Sequence, residues 1–205
     1  KDRLRGDGLT LSAADGAPAL IQPVLPIQSR SHRVERVTGI ITHRILELLS
    51  GTDLPTEPDA RIRQWIRGGL QQTSLTPDAM NTVEEHCLHL LSNTLSCKTG
   101  RWILSAHPEA QSELALSRME SGELKGYVID RTFVDSETGF RWIIDYKYSA
   151  VADNESEKSF IARQTEAYRP QLNHYAELYQ KLESRKVRCA LYFPQTSVFI
   201  EVTRN

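Results

Sequence analysis

Asp130, Asp145 and Lys147 carry the strongest chemical signal in this chain, with a single tyrosine between Asp145 and Lys147. The runs 127 to 134 and 140 to 147 are rich in β-branched and aromatic residues, and Asp-Ser-Glu-Thr-Gly between them supplies turn chemistry. A β-hairpin is expected. If residues whose numbers sum to 275 face one another, Val134 opposes Arg141 and Asp130 opposes Asp145. The two carboxylates then stand roughly 5 Å apart at Cβ. Lys147 shares their face, because side chains on a strand alternate with period two. A one-residue change of turn length would separate the aspartates, so the geometry depends on the register.

Two like charges facing one another in a sheet destabilise it unless a cation neutralises them. An all-oxygen pair suits Mg²⁺ or Mn²⁺, which keep several waters and take substrate phosphate at the remaining positions. A neighbouring lysine can stabilise charge on an attacking water or on the phosphorane-like transition state. The competing reading is a hairpin with solvated acids and a lone lysine.

Other elements must position these groups. From Glu35 to Leu49, Ile40, Ile41, Ile45, Leu48 and Leu49 fall on one helical stripe that Ser50-Gly51 ends, and His43 lies at its edge as a core histidine or a ligand. Residues 58 to 72 and 76 to 97 read as two further helices, the second opening at Thr76-Pro77-Asp78. Glu85 and His89 stand one turn apart there, but no second pair has finger-like spacing, so a polar face is favoured over zinc. Arg61, Arg63 and Arg67 either touch phosphate or form an exposed charged face, and the second is favoured. A first strand is expected from Ser112 to Met119. After the hairpin comes a helix of about twenty residues with Tyr168, Leu172, Tyr175, Ala176, Tyr179 and Leu182 on one side, kinked or begun at Pro170. Strands at 187 to 193 and 197 to 202 complete the order. Trp102 and Trp142 read as core aromatics rather than base-stacking platforms.

A chain of 205 residues, 40% hydrophobic and 25% charged, has the composition of one ordinary soluble domain plus a tail. Residues 1–33 are Gly-, Ala- and Pro-rich at first and read as a linker or N-terminal extension. The chain opens on Lys1 rather than Met, so an excised domain is expected. No run has membrane-spanning length and no signal-peptide pattern opens the chain. Scattered Cys87, Cys97 and Cys189 suit a reducing cytosol. A net charge of -1 gives no overall basic signature, so attraction to DNA must come from local patches or a larger parent.

The Asp130…Asp145-Tyr146-Lys147 hairpin resembles the PD-(D/E)xK nuclease core, and three flanking segments resemble its RecB-type branch. Arg36-Val-Thr-Gly39-Ile-Ile-Thr-His43-Arg-Ile-Leu-Glu47 is similar to that branch's Gly-x-x-x-His helix. Arg101-Trp-Ile-Leu-Ser-Ala-His-Pro-Glu-Ala-Gln-Ser-Glu113 resembles the lead into the first core strand of nuclease domains fused to UvrD-like helicases. Tyr168-Arg-Pro-Gln171-Leu-Asn-His-Tyr175 resembles the Gln-x-x-x-Tyr helix that follows the hairpin. Together they span roughly residues 34 to 202, in the family's order.

The resemblance implies an α/β, restriction-endonuclease-like fold: an αβββαβ core with a mixed sheet flanked by helices, over 34–205, with a helical insertion at about 52–98. It implies a Mg²⁺-dependent deoxyribonuclease, with Mn²⁺ as a substitute, serving a bacterial cytosolic helicase-nuclease that processes DNA ends in recombinational double-strand break repair. His43, Asp130, Asp145 and the Tyr146 carbonyl would hold metal, and Lys147 would orient or activate water. Gln171 would bind a carboxylate or phosphate, Tyr175 would pack on the strand with its hydroxyl toward DNA, and Glu113 is either an assistant or a solvated strand residue. Partners would be single-stranded DNA or DNA ends, helicase domains of the same parent and a second helicase-nuclease subunit, with no membrane. Three cysteines are too few for the four-cysteine iron-sulfur cluster of some relatives, so no cluster is expected. The alternative keeps the fold without chemistry, as a catalytically inactive DNA-binding or partner-docking module.

Overall fold

The computed structural model describes residues 10–11, 30–120, 123–149 and 151–203. Their order is β1 (Thr10–Leu11), α1 (Arg30–Leu49), α2 (Ala60–Gln71), α3 (Pro77–Ser96), α4 (Lys98–Leu104), β2 (Gln111–Glu120), β3 (Glu123–Val134), β4 (Arg141–Tyr146), α5 (Glu157–Leu182), β5 (Val187–Phe193) and β6 (Val198–Val202). The strands form a mixed sheet in sequence order, and β4 with β5 is its parallel pair. Of the expected extension at 1–33, residues 10–11 pair with β2 and 30–33 open α1, while the remainder lies outside the described residues. None of the described helices is long and apolar enough to cross a membrane.

Helices cover both faces of the sheet. On one face, Ile41, Ile45, Leu46 and Leu49 of α1 join Val83 and Leu91 of α3, Ile103 of α4, and Phe133, Trp142 and Ile144 of the hairpin. On the other, Leu172, Ala176 and Leu178 of α5 pack on Ile129, Ile143, Leu191 and Ile200. This is the α/β layering expected when a sheet is buried on both sides.

Local chemistry sets the helix ends. Asp59 caps α2 by accepting the Ile62 amide at 2.9 Å, and Ile62, Ile66 and Leu70 then recur at four-residue spacing into the core. Thr76 caps α3, with Pro77 in its first turn. The stripe on α1 departs from expectation: Ile40 is 58% exposed and Leu48 36%, because Leu46 takes the inward place. Pro170 lies inside the 26-residue α5 rather than at its start. Phe160 and Gln164 before it and Leu172 and Tyr175 after it are all buried, which offsets the roughly 3 kcal/mol an interior proline costs.

The turn between β3 and β4 is built by Asp135, whose carboxylate accepts the Thr138 amide at 3.2 Å and its hydroxyl at 2.5 Å. Gly139 supplies the positive φ of 69° the turn needs. The ladder runs Val134↔Arg141, Phe133↔Trp142, Thr132↔Ile143 and Arg131↔Ile144, which is the expected register. α4 fell within a segment taken only as a lead into the first strand. Gly100 lets it pack closely, since a Cβ there would meet the Thr94 carbonyl oxygen at 2.3 Å.

Candidate active site

His43 projects from α1 between two carboxylates. Its Nδ1 lies 2.7 Å from Glu113 Oε1 and its Nε2 lies 3.2 Å from Asp130 Oδ2. Burial disfavours a charged imidazole, but Asp130 and Glu113 outweigh it and push the pKa up to about 10. The ring also meets Tyr146 edge-on, with centroids 5.5 Å apart. A Cβ at Gly39, one turn earlier, would stand 3.4 Å from the Tyr148 ring, an ordinary van der Waals contact.

The carboxylates meet His43 because two strands break their alternation at the same rung. In an unbroken strand, residues 129, 131 and 133 share a face. Here Ile129 packs beneath α5, whereas Arg131 reaches the carbonyls of Ile103 and Ser105 at the end of α4 and Phe133 belongs to the α1 side. Across the ladder, Ser112↔Arg131 and Leu114↔Ile129 bracket the same reversal. Glu113 sits between them at φ 51°, a left-handed conformation that costs a non-glycine residue roughly 1–2 kcal/mol. Such strain is found where function over-determines the backbone.

Asp145 is held from the opposite side. Lys147 Nζ stands 2.5 Å from its Oδ2, and Gln171 Nε2 donates to Oδ1 at 3.1 Å. The same Gln171 amide donates to the Tyr175 hydroxyl at 2.8 Å, which in turn donates to the Val128 carbonyl at 2.9 Å. Tyr175 thus turns its hydroxyl inward to the backbone, and with Gln171 it positions Asp145. Burial, and then the charge of Asp130, raises the Asp145 pKa, while Lys147 opposes the shift. For Lys147, burial opposes the charge but Asp145 prevails and raises its pKa, so the ammonium persists. It also lies 4.3 Å from the centre of the Tyr168 ring.

His43, Glu113 and Asp130 each offer one donor atom, all within 4.8 Å of one another. One imidazole nitrogen with two carboxylate oxygens fits a hard divalent cation such as Mg²⁺ or Mn²⁺. Asp145 stands outside this trio. Its backbone neighbour Tyr146 contributes an amide that donates to Asp130 Oδ2 at 2.7 Å.

The PD-(D/E)XK nuclease superfamily model matches residues 19–203. The chain belongs to that superfamily. No curated protein gives a significant match to it.

Within this PD-(D/E)XK domain, His43, Glu113, Asp130, Asp145, Lys147, Gln171 and Tyr175 all converge at one end of the β3–β4 hairpin. Trp142 is buried and Trp102 half-buried in the core. His89 contacts the Asn93 side chain at 3.3 Å, and among the described residues it joins no metal-capable group. Sequence reasoning missed the Tyr168 ring over Lys147, since the two are joined only through the β4–α5 connection. It also gave Glu113 no geometry, because nothing in the residue type announces a left-handed strand position.

Proposed function

We propose that this domain is a Mg²⁺-dependent deoxyribonuclease, the RecB-type nuclease module of a helicase-nuclease that trims DNA ends during recombinational break repair. Superfamily membership supports phosphodiester hydrolysis, and the trio of His43, Glu113 and Asp130 beside Lys147 is the observation that carries the metal-dependent reading. The RecB-type branch and the helicase partner rest on the Gly39-to-His43 and Gln171-to-Tyr175 motifs. On this reading residues 34–205 form the nuclease domain, α2 and α3 form its helical insertion, and a bacterial cytosol is its setting.

His43, Glu113 and Asp130 would hold the ion, with Asp145 and the Tyr146 carbonyl as further ligands on the hairpin. A bound divalent ion supplies Lewis-acid polarisation of the phosphate and neutralises its developing charge. Lys147, paired with Asp145, would orient or activate the attacking water or donate to a non-bridging oxygen. The attacking water would lose one proton as its oxygen bonds to phosphorus, one bridging P–O bond would break, and the departing alkoxide would take up one proton, so that the protons balance. Gln171 and Tyr175 hold Asp145 still while this happens.

End-labelled linear, closed circular and single-stranded DNA, each incubated with the domain in Mg²⁺ and in EDTA, test the reading. Cleavage of linear or single-stranded DNA that EDTA stops is expected. Failure on every substrate with Mg²⁺ and with Mn²⁺ would leave the inactive-module alternative.

A further inference from the structure

Three concavities run along α1 and α2 away from His43. One of about 710 Å³ is lined by Ile40, His43 and Tyr148, by Arg36 and Arg44, and by the carboxylates of Glu35, Glu47 and Glu113, where a strand's phosphates would need a cation beside them. A narrower groove of about 320 Å³ continues it past Ile40, Arg44, Leu48 and Trp65. A third of about 920 Å³ is lined by Arg44, Leu48, Arg63, Gln64, Trp65 and Arg67, among others. Arg44 lines all three, and Ile40, Leu48 and Trp65 each line two, so the three adjoin one another along α1 and α2.

The wall of the far cavity holds three arginines and three glutamines and no Asp or Glu, in a chain whose net charge is -1. That concentrates positive charge where a focused field attracts a polyanion. Arg44 pairs with Glu47 and Arg67 with Glu84, but both arginines are largely exposed, and exposed pairs contribute little that phosphate cannot replace. Arg63 has no ion pair among the described residues. Between the arginines lie the outward-facing Ile40 and Leu48 of α1 and the half-buried Trp65. Alternating cationic and apolar or aromatic groups match a single strand, which presents both phosphates and unpaired bases. A duplex would hide its bases from these side chains.

We infer that this α1–α2 channel is the path of a single-stranded polynucleotide continuous with the segment at His43. Its phosphates pair with Arg44, Arg63 and Arg67, and its bases lie against Ile40, Leu48 and Trp65. The inference rests on the nuclease reading and adds the surface that reading lacks.

Fluorescence anisotropy of the whole domain in Ca²⁺, with labelled oligothymidylates of about 4 to about 16 nucleotides, the range of single-strand grooves, measures it. Affinity should rise with length. Arg63→Glu should weaken the longest oligonucleotide roughly tenfold or more, the factor carried by one charge-assisted hydrogen bond. The slope of log K against log salt should flatten by about 0.7 for each lost phosphate contact. Arg63→Lys should recover most of the loss, which a folding defect would not allow. Arg63→Glu binding every length as tightly as the parent overturns the path, whether or not the domain cleaves DNA. Length-dependent, Arg63-sensitive binding without any cleavage in Mg²⁺ keeps the path and removes the nuclease reading. Tighter, Arg63-sensitive binding of blunt duplex overturns the single-strand assignment.

Discussion

The amide of Tyr146 donates to Asp130 Oδ2 at 2.7 Å, so the strand that carries Asp145 also fixes the carboxylate of its neighbour. Ladder pairing between β3 and β4 stops at Arg131↔Ile144, and beyond it a side chain rather than a carbonyl accepts the next strand's N–H. The hairpin opens at this point, and the opening is where the charged groups gather.

Asp130→Ala should therefore abolish Mg²⁺-dependent cleavage and also cost about 1–3 kcal/mol of stability, the penalty for a part-buried N–H left unpartnered. Asp130→Asn keeps an acceptor, so it should lose cleavage with a smaller fall in Tm. Paired nuclease assays and thermal melts separate the two effects. Strong cleavage by a folded Asp145→Ala protein would sink the proposed site.

Gln171 touches Asp145 and Tyr175 but stands outside the metal-capable trio. Gln171→Leu should reduce metal affinity or activity by about 10–100-fold, the usual effect of removing a group that orients a ligand. Tyr175→Phe should act more weakly, since Gln171 keeps its bond to Asp145. Mg²⁺ titrations of the cleavage rate for both variants would show the order.

Glu113 at φ 51° predicts an inverted ranking of two substitutions. Both Glu113→Ala and Glu113→Gly remove the carboxylate beside His43, so both should weaken Mn²⁺ binding in calorimetry. Glycine escapes the left-handed penalty, so Glu113→Gly should be the more stable by roughly 1 kcal/mol in urea titration, although glycine ordinarily weakens a strand.

Acid stability should depend on the far end of the sheet. Arg141, with its side chain 4% exposed, bonds Glu183 at 3.0 Å and Glu109 at 2.6 Å. The Arg141 hydrogen bond holds the Glu183 carboxyl below its ordinary value of 4.5, against an opposing burial effect. A depressed pKa contributes stability above the unfolded value of about 4.3 and loses it as pH falls through the folded one. Glu183→Gln should therefore lower Tm near neutrality and converge with the parent as the pH falls below the ordinary carboxylate range. Parallel melting curves at all pH values would contradict this.

Much of the hairpin could be read in advance because turn residues and β-branched runs act locally. The register that pairs Val134 with Arg141 followed from them, and the strand at Val187–Phe193 was bounded by its own apolar run. Ile40 and Leu48 were misplaced because a stripe spanning Ile40 to Leu49 does not say which edge faces α3. The short α4 was missed because its fit depends on Gly100 approaching Thr94 and Tyr192, contacts set by tertiary packing. Asp145, Lys147 and Gln171 were nameable from motifs. That Gln171 passes its grip through Tyr175 to Val128 was not, because the Tyr175–Val128 bond joins residues 47 apart in the chain.

The parallel pairing of β4 with β5 has a bearing on how the domain comes into being. β4 can complete its second edge only after α5 and β5 exist, and closing so long a connection is slow compared with forming a hairpin. During synthesis the cluster around Asp145 would wait, half built, until β5 emerges. Chains aborted before Val187 would carry every candidate catalytic side chain and lack the strand that holds them in place.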